Sequence, residues 1–218
     1  MDAIDTGNIK NTGIRLIVSS REGAYGLERA GNRGIPCIVI PGRDTEGLLN
    51  ALSEHSIDGI VLAGYLSILP PEVIDEYSGR IINIHPALLP LFGGKGFYGI
   101  KVHQAVLASG FPFTGATAHI VDSGIDTGAA LVRGAAAVLP GDTAESLQKR
   151  VLELEHPVLV KAVKALVEGR ITELVEKPLL LINNCDRDAL LKYAAGLSEL
   201  GAVLTEAGRT NNEDTGGA

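Results

Sequence analysis

The chain has 218 residues, 45% of them hydrophobic and 21% charged, and a formal net charge of -7. That length and apolar content suit one buried α/β domain with a small appendage and exclude a disordered chain. The acidic balance, the lack of tryptophan and the 4% aromatic content argue against a nucleic-acid binder, which needs a basic surface and rings for stacking.

Residues 1–5 carry neither the basic segment nor the apolar core of a signal peptide, and no apolar run is long enough to cross a bilayer. Cys37 and Cys185 lie far apart without close Cys or His companions, so neither a disulfide framework nor a zinc pattern is visible and a reducing cytoplasm fits. Short β-branched runs then alternate with amphipathic stretches, the pattern of parallel strands joined by helices on the sheet faces. The spacing predicts strands over 14–19, 36–40 and 57–63, the last fully buried, with helices over 25–32 and 48–55 between them. A short helix follows Pro70-Pro71, and residues 80–84 read as a central strand. Residues 86–99 hold too many prolines and glycines for regular structure and read as a surface loop. A helix over 102–109, strands over 115–121 and 129–138, and a long helix over 143–169 capped around Asp142-Thr143 complete the unit. After a boundary at 172–178 come a strand over 179–183, a helix over 187–200, a strand over 202–204 and a polar, disordered end. The fold class is α/β: a Rossmann-like, mostly parallel sheet with helices on both faces.

The residues able to do chemistry cluster in a few places. In Ile82-Asn83-Ile84-His85-Pro86, strand periodicity puts Asn83 and His85 on one face just before a proline ends the strand. An amide and an imidazole there can donate to the oxyanion of an attacked carbonyl. The pair equally suits a strand-end cap and a buried polar contact. In the run from Thr117 through His119 to Gly128, Asp126 sits in a Gly- and Asp-rich loop; it can orient and charge-stabilise His85, or belong to an ordinary turn. Glu155-His156 on the long helix can hold an amine or face solvent. The apolar run Val61 to Pro70 can wall a slot for a flat ring or simply fill core.

Together, the run 62–70, the block Asn83 to His103, the segment Thr114 to Gly128 and Glu155-His156 resemble the phosphoribosylglycinamide formyltransferase family over roughly residues 3–172. The loop Phe92-Gly93-Gly94-Lys95-Gly96-Phe97-Tyr98-Gly99 looks like one bacterial branch of it. The resemblance implies metal-free transfer of a formyl group from 10-formyltetrahydrofolate to the amine of 5'-phosphoribosylglycinamide in purine biosynthesis. It implies that Asn83 and His85 stabilise the oxyanion, that Asp126 pairs with His85 and assists proton removal, and that Glu155 holds the amine. It further places Tyr65, Leu66, Ile68, Leu69, Ile74 and Ile81 around the pterin, the backbone of Val121 and Asp122 at its ring edge, Gly64 and Pro86 along the ribonucleotide, and Arg43 at the glutamate tail. Other folate-dependent formyltransferases, acting on an aminoacyl-tRNA or a sugar-nucleotide amine, share the Asn, His and Asp constellation, and a folate-binding remnant without turnover is a third reading.

Two departures from that family stand out. Its opening strand and Gly-Ser-rich phosphate loop have no counterpart in residues 1–11, so a first strand missing from the sheet and pairing with another chain to complete it are expected. The segment after Lys177 is similar to the opening of the bifunctional purine enzyme, AICAR transformylase/IMP cyclohydrolase. These features divide the chain into a formyltransferase domain at 1–172 and a partial βαβ appendage at 173–218.

Overall fold

In the computed structural model, residues 1–41 and 44–182 are described. The alternation expected from the sequence appears as α1 (Asp2–Asp5), β1 (Ile17–Ser19), α2 (Tyr25–Gly31), β2 (Cys37–Val39), α3 (Thr45–Glu54), β3 (Ile60–Leu62) and α4 (Pro71–Glu76). Then follow β4 (Ile81–His85), α5 (Ile100–Ser109), β5 (Phe113–Ile120), β6 (Ala130–Ala137), α6 (Ala144–Val167), α7 (Ile171–Glu176) and β7 (Leu179–Ile182). Arg43 and the elements expected from 183 onward lie outside the described residues. Among the described residues no helix is long and apolar enough to cross a membrane.

The strands form a two-stranded sheet, β1-β2, and a five-stranded sheet ordered β3-β4-β5-β6-β7. The sheet is mixed. Parallel pairing holds for β1 with β2 and for β3 with β4, whereas β5 runs antiparallel to both β4 and β6. β5 and β6 are joined by the short segment 121–129, which turns the chain straight back on itself and makes the pair antiparallel. A register shift at Ala118/His119 inserts one extra residue on β6. The neighbours Leu131 and Val132 at that point are both fully buried.

β3 departs from expectation. Val61 is 42% exposed because β3 is the edge of its sheet among the described residues, pairing only with β4. Residues 1–11, which carried no expected element, begin with the short α1. Asp2 accepts from Arg29 and Arg33 at 2.7 Å, and Asp5 accepts from Arg33 at 2.9 Å, fastening α1 to α2.

The core has two parts, one on each side of β4. Ile82 and Ile84 face α6, where Val151, Val158, Ala162 and Ala165 join Ala116, Ala118, Leu131 and Val132. Each fully buried aliphatic side chain in such a cluster contributes about 1.5–3 kcal/mol. Ile81 points the other way, into a cluster with Leu52 of α3, Val73 of α4, Leu69 and Tyr77. Helices therefore cover both faces, and Asn83 and His85, in phase with Ile81, share the face of the second cluster.

α6 starts as expected. Thr143 Oγ1 accepts from Ser146 N–H, and Ser146 Oγ accepts from Thr143 N–H, a reciprocal cap that satisfies two otherwise unpaired amides. Arg150 then donates to Asp142 and to the Ala137 carbonyl, tying the helix to the end of β6. Leu174 of α7 is buried in the first cluster and Leu181 packs against it, and the compact unit continues to Leu181.

Candidate active site

Cross-strand register assembles the site. Asn83 lies opposite His119, and His85 lies opposite Thr117, which in turn lies opposite Arg133 on β6. Laterally paired residues point to the same side of a sheet, so one face carries Asn83, His85, Thr117, His119 and Arg133. His85, Thr117 and His119 are all buried there.

The segment after Pro86 leaves the surface at its start, which its composition did not suggest, while Pro90, Leu91, Lys95, Gly96 and Tyr98 are exposed as read. Ala87 is fully buried and Leu89 nearly so, because this polar face supplies partners for the backbone that crosses it. Thr117 Oγ1 donates to the Ala87 carbonyl at 2.7 Å and accepts from Leu89 N–H at 3.0 Å. Arg133 donates through Nε and Nη2 to the Leu89 carbonyl at 3.2 and 3.1 Å. His85 Nε2 lies 2.8 Å from the Phe92 carbonyl, and Gly94 N–H donates to Asp126 Oδ2 at 3.0 Å. Buried backbone groups must be paired, and four side chains of the sheet and its loops do so here.

Asp126 is delivered by the loop between β5 and β6. Its own backbone is left-handed, with φ 58°, and the loop returns so closely at Gly128 that a Cβ there would lie 1.9 Å from the Ile120 carbonyl oxygen. Only glycine permits that approach. The carboxylate ends between two imidazoles, with Oδ2 3.4 Å from His85 Nδ1 and Oδ1 3.6 Å from His119 Nε2. Asn83 Nδ2 lies 3.1 Å from His119 Nε2, closing the network.

The electrostatics of the pair are opposed. Burial pushes His85 below the ordinary imidazole value, while the Asp126 charge and the Phe92 carbonyl pull it up, and burial wins. Burial also works against the Asp126 charge, but His119, the Gly94 amide and His85 outweigh it and hold the carboxyl below its usual range. The resting pair is therefore a carboxylate beside a neutral ring at neutral pH. Both ring nitrogens of His85 face acceptors, so a proton gained by the ring is met by a partner already in place.

The expected pterin wall is partly assembled. Leu69 and Ile81 are buried, and Tyr65, Ile74 and Val121 pack against them in one cluster. Leu66 and Ile68, from the same loop, are 71% and 70% exposed and form no part of that cluster. Burial raises the Tyr65 hydroxyl, partly offset by a hydrogen bond with Ser67. The Val121 amide is engaged by the Ile81 carbonyl at 2.9 Å, and Asp122 Oδ1 accepts from Gly124 N–H and the Thr127 hydroxyl, so both organise their own loop. Gly64 makes a left-handed turn, φ 67°, and Pro86 directly follows His85 in the half-buried range. Glu155 stands on α6, where burial alone pushes its carboxyl up to about 7; it makes no hydrogen bond or ion pair with Asn83, His85 or Asp126 among the described residues. A cleft of about 420 Å3 opens beside Asp126, between residues 89–94 and 125–130, with Arg133 in its wall.

Sequence reasoning assigned no role to His119, Thr117 or Arg133. Two-residue spacing from Thr117 to His119 was the available signal, since it places both on one strand face.

An amide donor, an imidazole and a buried carboxylate meeting at one point can stabilise an oxyanion and accept a proton. A family profile described as formyl transferase matches residues 1–163. The chloroplastic phosphoribosylglycinamide formyltransferase of Arabidopsis thaliana is 44% identical over 169 residues, which cover 74% of this chain and 58% of that protein. The trifunctional purine biosynthetic protein adenosine-3 of Drosophila melanogaster is 37% identical over 163 residues, 72% of this chain and 12% of that protein. The chain spans a little over half the length of the two plant relatives, 58% and 53%. Among solved structures, glycinamide ribonucleotide transformylase 1 from Symbiobacterium toebii superposes with a TM-score of 0.72 at 33% identity, covering 78% of this chain and 80% of that one. Phosphoribosylglycinamide formyltransferase from Anaplasma phagocytophilum gives 0.71 at 33%, covering 79% and 87%.

Proposed function

The chain belongs to the formyl transferase family, and from that premise we propose that it transfers the formyl group of 10-formyltetrahydrofolate to the amine of 5'-phosphoribosylglycinamide. The observation that carries this reading is the Asp126 carboxylate 3.4 Å from His85 Nδ1, on the face that also holds Asn83.

The amine nitrogen attacks the formyl carbon, a new C–N bond forms, and the carbonyl electron pair moves onto oxygen. Asn83 Nδ2–H donates to that oxygen, and His85 donates to it once its Nε2–H exchanges the Phe92 carbonyl for the growing negative charge, an exchange favoured in the transition state more than in the ground state, which is where catalysis is gained. Asp126 takes the proton that the attacking nitrogen loses. Collapse of the intermediate breaks the bond to the folate nitrogen, which leaves with the proton that Asp126 took from the amine and returns to it, and the formyl group stays on the amine. Glu155, ionised, holds the amine before attack. Gly64 and Pro86 lie along the ribonucleotide, Arg43 meets the glutamate tail, and Tyr65, Leu66, Ile68, Leu69, Ile74 and Ile81 form the pterin pocket, with the backbone of Val121 and Asp122 at its edge. β1 and β3, three residues each, have one edge without a partner among the described residues, which suits pairing with a further strand.

The test is an initial-rate comparison with 10-formyltetrahydrofolate and three amines: the ribonucleotide, a sugar-nucleotide amine and an aminoacyl-tRNA. Turnover with the first alone, abolished by His85→Ala, is expected. Turnover with another amine only, or none with any, overturns the reading.

A further inference from the structure

We infer that His119 is a positioning residue that fixes the orientation of the Asn83 carboxamide, so that Asn83 offers an N–H rather than a carbonyl lone pair to the reacting oxygen. The inference rests on the formyl-transfer reading for its kinetic consequence, but its structural content stands apart from turnover.

His119 is 2% exposed and lies directly across from Asn83. Its Nδ1 is 2.8 Å from the Ile120 carbonyl oxygen, a group that can only accept, so Nδ1 carries the proton. In the neutral ring Nε2 is then a lone pair. That lone pair is 3.1 Å from the Asn83 amide nitrogen and accepts one of its two hydrogens. Reversing the carboxamide would set a carbonyl oxygen against the lone pair, with no proton between them. The second hydrogen of Nδ2 remains as the donor that Asn83 can present.

A competing arrangement places the proton on Nε2, aimed at Asp126 Oδ1. That contact is 3.6 Å, longer than either of the other two. Choosing it would strip the Ile120 carbonyl of its donor and put two N–H groups face to face at Asn83. The shorter contacts decide the tautomer. Asp126 has the Gly94 amide at 3.0 Å and His85 at 3.4 Å as its nearest partners, His119 acting on it from 3.6 Å, and the shorter contact of His119 Nε2 is the one to Asn83.

The first arm of the test needs no substrate. Long-range proton–nitrogen correlation NMR on the uniformly nitrogen-15-labelled protein at neutral pH should show His119 as the Nδ1–H tautomer. A ring protonated at Nε2, alone or on both nitrogens, overturns the inference. The second arm is kinetic. His119→Leu should lower kcat about 10–100-fold, the scale of losing one oriented oxyanion donor, with the KM for folate within about twofold. His119→Gln, whose carbonyl oxygen falls near the place of Nε2, should recover most of the loss. In an Asn83→Ala background, His119→Leu should cost less than about twofold more, because its partner is already gone. Equal losses in both backgrounds would make His119 merely structural and overturn the inference. A wild-type chain with no turnover would instead count against the transfer reading, leaving the tautomer to decide this one.

Discussion

Asp126→Asn isolates the charge on which the site depends. The substitution keeps the shape of the side chain while removing a negative charge 3.4 Å from His85 Nδ1 and 3.6 Å from His119 Nε2. Opposite unit charges at that distance attract by about 5 kcal/mol at an effective dielectric near 20. The Gly94 amide and solvent already compensate part of this, so about 3–5 kcal/mol of the barrier is at stake, which corresponds to about 10²–10⁴ in rate. Burial already holds His85 below its ordinary value, with the Asp126 charge the largest influence opposing it, so its titration midpoint must move further down. The assay pairs single-turnover formyl transfer with an NMR titration of the His85 ring. A midpoint that stays or rises, or a rate within about tenfold of wild type, would refute the role given to this carboxylate.

Other perturbations test separate parts of the account. Glu155, raised to about 7 by burial, binds a proton more tightly folded than unfolded, so it costs stability as pH rises from about 4.5 through 7. Glu155→Gln should therefore gain about 1–2 kcal/mol in urea unfolding at pH 8 and little at pH 5, and it should flatten the fall in the amine KM expected as pH rises through 7. His103, 1% exposed with Nδ1 unpartnered, is lowered by burial to about 4. Its contribution is intact above about pH 6.5 and is lost as pH falls toward 4, so His103→Leu should lessen the acid-induced loss of unfolding free energy by about 1–2 kcal/mol at pH 5; an unchanged pH profile would contradict this. Gly128→Ala forces a Cβ against the Ile120 carbonyl and should cost about 2–4 kcal/mol in chemical denaturation. A neutral result would mean that the loop bearing Asp126 is not held as described.

What was legible in the sequence followed from periodicity. The two-residue repeat of Ile82-Asn83-Ile84-His85 placed the polar pair on one face, and the structure buries Ile82 and Ile84 on the other. The meeting of Asp126 with His85 was legible only through the family resemblance and not from the residues themselves, because it depends on how residues 121–129 return against the strand end, a tertiary fact hidden in the choice of glycine at 128. Composition marked residues 86–99 correctly as irregular and mostly at the surface, but not that its start is buried, because that depends on partners for the backbone at Ala87 and Leu89, which Thr117 and Arg133 supply. Strand direction was equally hidden, since β4 and β5 are joined through α5 as a parallel pair would be, yet they run antiparallel. The run of apolar residues at 57–63 was read as fully buried because hydrophobicity alone does not distinguish a strand paired on both edges from one paired on a single edge.

A carbon-13 label in the formyl group of 10-formyltetrahydrofolate addresses the chemistry at its root. Followed by NMR with the ribonucleotide present, the label should move from the folate nitrogen to the substrate amine, at a rate that His85→Ala lowers about 10²–10⁴-fold. Label that remains on folate, or that appears as free formate while the amine stays bare, would contradict transfer at the Asn83, His85 and Asp126 site.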